Sequence, residues 1–431
     1  MASTKMTVTQ FTFLTALNML GSGIIMLPAK LASVGMISLL AWFVTLFGVV
    51  ALAYSFAKCG MYTRHPGGLG GIAQATFGRS GSFLVNYIYA ISLVIANVAI
   101  LATAVSYLLS TLHITLPTIA VTAIMVFLLW LATAANFRGA RFTSIISALF
   151  LWGIFIPLLI LAVAGPFWFS LDTFSANWNP NGYSLFDAIG HTVSMQLWAF
   201  LGLESACANS DSVDNPELNV PRAVLTATFV VGAIYILITT LVGGIVPNAD
   251  LIDSAAPFAV IFDKLFGHTA SVILAICMSL TCCGSLISWQ FTVSRVVKTS
   301  ANLGYFPKFF ALTNAKDVPI IGLVIIGIVQ TVLVIVSTTP SLFTQFTVLV
   351  DISVVTNVIP YMLCVAALFS LVRTAGSLEK NPKLVFFFAT VALLYTFFVF
   401  SSYSSLMVRL STLILFIGCA LYGMFMPRER L

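Results

Sequence analysis

The chain alternates long apolar runs with short segments that hold most of its charges, prolines, glycines and asparagines. Twelve runs reach the ~20 residues a helix needs to cross the hydrocarbon core of a bilayer. The first six are Phe11–Ala32, Met36–Ala57, Ser82–Leu109, Thr118–Ala135, Ser144–Phe169 and Ile189–Ala208. The second six are Ala223–Val246, Ala270–Val293, Pro319–Ser337, Leu342–Leu371, Leu384–Ser401 and Leu406–Met426. Two runs carry interruptions at mid-depth. In the first, Asn18-Met19-Leu20-Gly21-Ser22-Gly23-Ile24 sets two glycines around a serine, with Pro28 following. In the sixth, Trp198-Ala199-Phe200-Leu201-Gly202-Leu203-Glu204-Ser205 combines a glycine with an acid. Glycine weakens a helix by ~1 kcal/mol against alanine, and irregular backbone at membrane depth is tolerated only where it lines a cavity. The pattern therefore predicts that helices one and six are broken. They hold corresponding places in two five-helix halves, which is where a transporter carries its binding site. The competing reading is that the glycines only allow helices to pack closely.

Composition sharpens the class. Of 431 residues, 60% are hydrophobic and 7% charged, against ~25% charged in a soluble domain, so a soluble enzyme is excluded and twelve spans leave no room for a soluble domain. The nineteen basic residues sort by side when the N-terminus is placed in the cytoplasm. Sixteen then fall inside and only Lys30, Lys264 and Arg409 outside, which predicts an even number of spans with both ends cytoplasmic.

The candidate chemistry is sparse. Glu204 is an ionisable group in mid-membrane, a functional hypothesis by default. Unwound helix ends offer free N–H groups near Ser22 and Gly23 to a carboxylate, and free carbonyls around Met19, Trp198 and Leu201 to an ammonium. Trp198 and Trp289 offer indole faces, worth ~0.5–2 kcal/mol to an ammonium. Asp351 lies deep enough in the tenth span to suit a second positive charge. Lys298 reads as an interfacial anchor. The run Gly67-Gly68-Leu69-Gly70-Gly71 lacks the strand and Lys-Ser/Thr of a phosphate loop and reads as a flexible connection. No nucleophile–base pair, metal-ligand set or ATP-binding motif occurs, so neither an enzyme nor a primary pump is expected, and no cofactor or metal is implied.

At the interrupted segments the chain resembles the amino acid–polyamine–organocation superfamily, specifically its bacterial exchangers of basic amino acids for their decarboxylated amines. The likeness runs over essentially the whole length. It is carried by residues 18–28 and 197–206, by Asn215-Pro216-Glu217-Leu218-Asn219-Val220-Pro221, by residues 282–292, by Gly304-Tyr305-Phe306-Pro307 and by Thr356-Asn357-Val358-Ile359-Pro360-Tyr361. Gly202-Leu203-Glu204-Ser205-Ala206-Cys207-Ala208-Asn209 is most similar to the putrescine–ornithine antiporters. The resemblance implies an all-α integral membrane fold, a five-plus-five inverted repeat (11–169 and 189–371) followed by two helices (384–426). It implies a substrate site with the carboxylate at Ser22 and Gly23 and the α-amino group at carbonyls near Met19, Trp198 and Leu201. The side-chain end would lie by Asn97, Trp289 and Ser353, with Glu204 handling substrate and proton. Asp351 and Tyr422 join the candidate set. Ornithine for putrescine is the exchange first implied. Lysine for cadaverine, arginine for agmatine, histidine for histamine, and proton-coupled uptake are the alternatives. Implied partners are basic amino acids and di- or polyamines, the lipid of a bacterial inner membrane and a functional link to an amino acid decarboxylase. A homodimer is compatible with it; no nucleic acid is implied. The chain departs from its relatives at Gln74-Ala75, where they carry an acid and an aromatic, at Leu218, at Cys419, and at Asp351.

Overall fold

The computed structural model describes residues 7–63, 67–204, 215–339, 341–376 and 379–425, without the side chains of Leu14, Leu17, Ser22, Pro216, Glu217 and Phe425. Seventeen α-helices and no strand occur among them. In order they are α1 Val8–Met19, α2 Ser22–Ile25, α3 Leu27–Ala32, α4 Ser38–Tyr62, α5 Leu69–Thr111, α6 Thr118–Asn136, α7 Ala140–Ala164, α8 Leu171–Ala176 and α9 Leu185–Ala199. Then come α10 Pro216–Ile245, α11 Asn248–Leu251, α12 Pro257–Phe266, α13 His268–Asn302, α14 Ile320–Ser337, α15 Leu342–Ala375, α16 Pro382–Ser401 and α17 Ser405–Phe425. Ten helical stretches are continuous, long and apolar enough to cross a membrane. Each coincides with a predicted span. The two predicted spans missing from the ten are the first and the sixth, the pair expected to break.

The first span is split twice. α1 ends at Met19, α2 starts at Ser22 with Gly21 as an uncapped N-cap, and a turn at Met26 separates α3, where Pro28 sits in the first turn. A proline there has no N–H to lose. The sixth span's helix stops at Ala199 and Phe200 to Glu204 form turns. Its predicted end, from Ser205 to Ala208, lies outside the described residues, as does the rest of the motif through Asn209.

Two connections differ from expectation. The glycine run 67–71 is not a flexible loop: α5 begins at Leu69 and bends at Gly78 (φ 65, ψ −156) into the third span. Its Gly70 N–H donates to Asn86 Oδ1 at 3.0 Å, and a Cβ there would lie 2.5 Å from that side chain. These glycines permit contact. Likewise Asn215–Pro221, which precedes the expected seventh span at Ala223, is already largely helical, since α10 starts at Pro216 behind an Asn215 N-cap at φ 44. Gln74, one of the departures, accepts from the Tyr305 hydroxyl at 2.9 Å.

The ends of the bundle are tied by ion pairs. Lys298 and Arg295 of α13 both reach Asp317, Arg295 at 2.6 Å. Lys58 of α4 meets Glu379 at 2.7 Å, and the Tyr62 hydroxyl donates to the same carboxylate oxygen. Burial pushes the Glu379 carboxyl up, but Lys58 and Tyr62 outweigh that and hold it below its usual range. A group lowered in the folded state stabilises above its unfolded value, ~4.3 for Glu. That contribution fades as pH falls through the folded value. Glu379→Gln is therefore expected to melt earlier than wild type in detergent at pH 7, with the gap closing below about pH 4. A gap independent of pH would assign the effect to packing.

Candidate substrate site

The two interruptions cross each other, and glycine is what lets them. A Cβ on Gly23 would lie 2.7 Å from Ala199 Cα, and one on Gly202 (φ +112) would lie 2.6 Å from the Asn18 carbonyl oxygen. Both readings of the glycines thus hold at once: the helices break, and the breaks pack backbone to backbone. Tyr235 of α10 fastens the crossing. Its hydroxyl lies 2.9 Å from the Met19 carbonyl and 2.8 Å from the Ala199 carbonyl, with the side chain fully buried. On the far side of α2 the Tyr107 hydroxyl donates to the Ile25 carbonyl at 2.8 Å. Carbonyls freed by unwinding are therefore partly taken by tyrosines from other spans, as a buried backbone requires.

A cavity opens beside this crossing, bounded by α5, α13 and α15. Met19, Gly23, Trp198, Leu201, Glu204, Trp289 and Ser353 all line it, seven of the expected site residues from four separate spans. Ser22 opens α2 next to Gly23. The space available to the centres of water-sized molecules is ≈ 30 Å³, room for two or so waters at ~10–15 Å³ each.

Glu204 is buried, and its two oxygens are occupied. The Tyr89 hydroxyl donates to Oε1 at 2.8 Å, the Tyr361 hydroxyl to Oε2 at 2.5 Å and the Gly202 N–H to Oε2 at 3.0 Å. Three converging donors offset the desolvation that makes a mid-membrane acid expensive. They also hold the carboxylate on the cavity wall. The indole N–H of Trp198 has no partner among the described residues, so the ring is placed by packing alone.

Three candidates lie elsewhere. Asn97 is buried behind the wall, where its Nδ2 donates to Gln290 Oε1 at 2.9 Å and Gln290 donates on to Thr133 at 3.2 Å. Asp351 is partly buried on α15 off the cavity wall, and Lys30 is the cation acting on it. Tyr422 packs on Phe83, ring centroids 5.4 Å apart. Sequence reasoning misses Tyr89, Ser92 and Tyr235. Asn357 and Tyr361 enter it only as parts of one motif. A tyrosine in an apolar run carries no mark of the helix face it occupies, so only the assembled spans reveal these groups.

The amino acid permease family model matches residues 6–425. The putrescine transporter PotE of Escherichia coli (strain K12) is 46% identical over 429 residues, 100% of this chain and 98% of the relative. PotE of Haemophilus influenzae is 46% identical over 421 residues, covering 98% and 97%. A cadaverine/lysine antiporter of Escherichia coli (strain K12) is 32% identical over 322 residues, covering 74% and 72%. A cavity built where two broken helices cross, in a chain matched end to end by transporters, identifies a multi-spanning membrane protein that belongs to the amino acid permease family.

Proposed function

We propose that the protein exchanges a basic amino acid for its decarboxylated amine, ornithine for putrescine first. The observation that carries this is Glu204, a carboxylate held by three donors on the wall of a cavity shared with Trp198 and Trp289. A carboxyl group that shares a cavity with two indole rings suits a primary ammonium. The uncapped N-terminus of α2 beside it offers N–H groups to the carboxylate that only the amino acid brings. The 46% identity to putrescine transporters supports the amine, and the 32% identity to a cadaverine/lysine antiporter supports lysine for cadaverine as the second reading.

The same reading places the chain in a bacterial inner membrane with both ends cytoplasmic, supported by the sixteen-to-three division of its basic residues. It takes 11–169 and 189–371 as inverted halves, supported by breaks in the first span of each. A decarboxylase that converts the imported amino acid into the exported amine is the enzyme this exchange requires as its supplier. A homodimer is part of the reading without bearing on the site.

Charge predicts the test. Ornithine carries one net positive charge near neutral pH and putrescine two, so amine out for amino acid in moves one charge outward when no proton accompanies it. A membrane potential biases that exchange by ~2.3 kcal/mol per 100 mV, roughly 50-fold in the end-point ratio. Heteroexchange in proteoliposomes under a potassium–valinomycin potential of either sign should show this bias. Indifference to the potential would mean a compensating proton. Uptake without any substrate on the opposite side would replace exchange by one-way import.

A further inference from the structure

On one side of the helix crossing, polar groups from four spans meet. The α9 helix runs into the crossing and α3 runs out of it, and α9 packs against α3, α15 and α16. Ser194 stands one turn before Trp198 on the same face of α9, and Asp351 two residues before Ser353 on α15. Trp198 and Ser353 line the cavity, so both groups lie just beyond it. Lys30 stands in the last turn of α3. Tyr403 follows the end of α16, and its hydroxyl is buried beside Ser194 and in the field of Asp351. With both chain ends in the cytoplasm, this is the outer side.

Glu204 has three donors. Asp351 has none among the described residues. It is half-buried, as Lys30 is, and the two charges act on each other. Yet the Lys30 ammonium makes no hydrogen bond among the described residues either, and no ion pair within 4.0 Å joins the two. A carboxylate only accepts, at about four lone-pair sites. One drawn out of water with none of them used forfeits the compensation that burial calls for. A primary ammonium carries three N–H donors. The rival is a structural tie, in which Lys30 closes on Asp351 and the pair only clamps α3 to α15.

We propose that Asp351 is a second ammonium-binding residue, outside the cavity, where a diamine or basic amino acid on its way in or out rests one ammonium on the carboxylate while Lys30 competes for the same place. This deepens the exchanger reading and rests on it. A half-buried charge speeds and steers the approach of an opposite charge more than it holds it. The competing lysine keeps the stay short, so the substrate passes on instead of being trapped.

The test is binding of radiolabelled putrescine to the detergent-solubilised protein by equilibrium dialysis, with exchange measured in proteoliposomes. Wild type is expected to bind two putrescines, one firmly at Glu204 and one weakly. Asp351→Asn should lose only the weak one, and Glu204→Gln only the firm one. Lys30→Gln should tighten the weak one by about fivefold. Exchange at sub-saturating putrescine should fall about fivefold in Asp351→Asn at low salt, with the gap closing as salt screens the charge. A single class of site in wild type overturns the inference. So does Asp351→Asn that weakens the firm site, which would put Asp351 in the cavity. Lys30→Gln that behaves as Asp351→Asn does overturns it too, because the pair is then a tie. Lys30→Gln decides alone if Asp351→Asn does not fold. Wild type that binds no putrescine overturns the exchanger reading together with this one.

Discussion

Glu204→Gln is expected to lower ornithine–putrescine exchange by about 100-fold while leaving a monodisperse, folded protein. The substitution keeps the side chain's size and removes its charge, so the substrate ammonium loses its counter-ion. It also sets an amide NH2 where a carboxylate oxygen now receives hydrogen bonds from tyrosine or backbone. Hydrogen bonds to a charged group contribute ~1.5–3 kcal/mol each, against ~0.5–1.5 for neutral pairs. Losing the charged partner on one substrate contact alone reaches ~2.7 kcal/mol, or 100-fold. Tyr89→Phe and Tyr361→Phe, which leave the charge but remove one donor each, should fall between, at about tenfold. Exchange rates are the measurement, with size-exclusion profiles as the folding control. A folded Glu204→Gln protein that exchanges at the wild-type rate would remove Glu204 from the substrate path.

Gly202→Ala and Gly23→Ala are expected to abolish transport by damaging the helix crossing itself. A non-glycine residue at the φ of +112 found at Gly202 costs ~1–3 kcal/mol in backbone strain. Its Cβ would also lie 2.6 Å from the Asn18 carbonyl oxygen, and the Cβ at Gly23 2.7 Å from Ala199 Cα. Both obstacles are backbone, so neither yields by a side-chain rotation. The measurement is thermal stability in detergent beside exchange activity. A melting point lowered by several degrees is expected for both variants. Gly423→Ala, where nothing lies within 4 Å of the added methyl, should match wild type. Normal melting and transport in Gly202→Ala would mean that the crossing relaxes more easily than its contacts indicate. Gly23 for this reason cannot serve as a clean probe of carboxylate binding: enlarging it pushes on α9 before it touches a substrate.

What the order of residues determines by itself follows from membrane physics. A bilayer demands runs of ~20 apolar residues, so twelve spans are countable, and ten of them return as continuous helices at the expected places. It also penalises unsatisfied backbone, so paired glycines and a mid-span acid single out the first and sixth spans and bring Met19, Gly23, Trp198, Leu201 and Glu204 into the site. What the sequence leaves open is rotation about each helix axis. In lipid, the outward face is as apolar as the buried one, so the 3.6-residue period that marks an amphipathic helix in water is faint. Asp351 and Ser353 stand two residues apart on α15. Two residues turn a helix by about 200°. Ser353 therefore reaches the cavity while Asp351 does not. The same uncertainty hid Tyr89, Tyr235 and Tyr361 among many aromatics, set Asn97 behind the wall, and took Tyr422 away to Phe83. Only the packing of distant spans decides which polar groups converge, because both tyrosines on Glu204 meet it across more than a hundred residues of chain, Tyr89 at a separation of 115 and Tyr361 at 157.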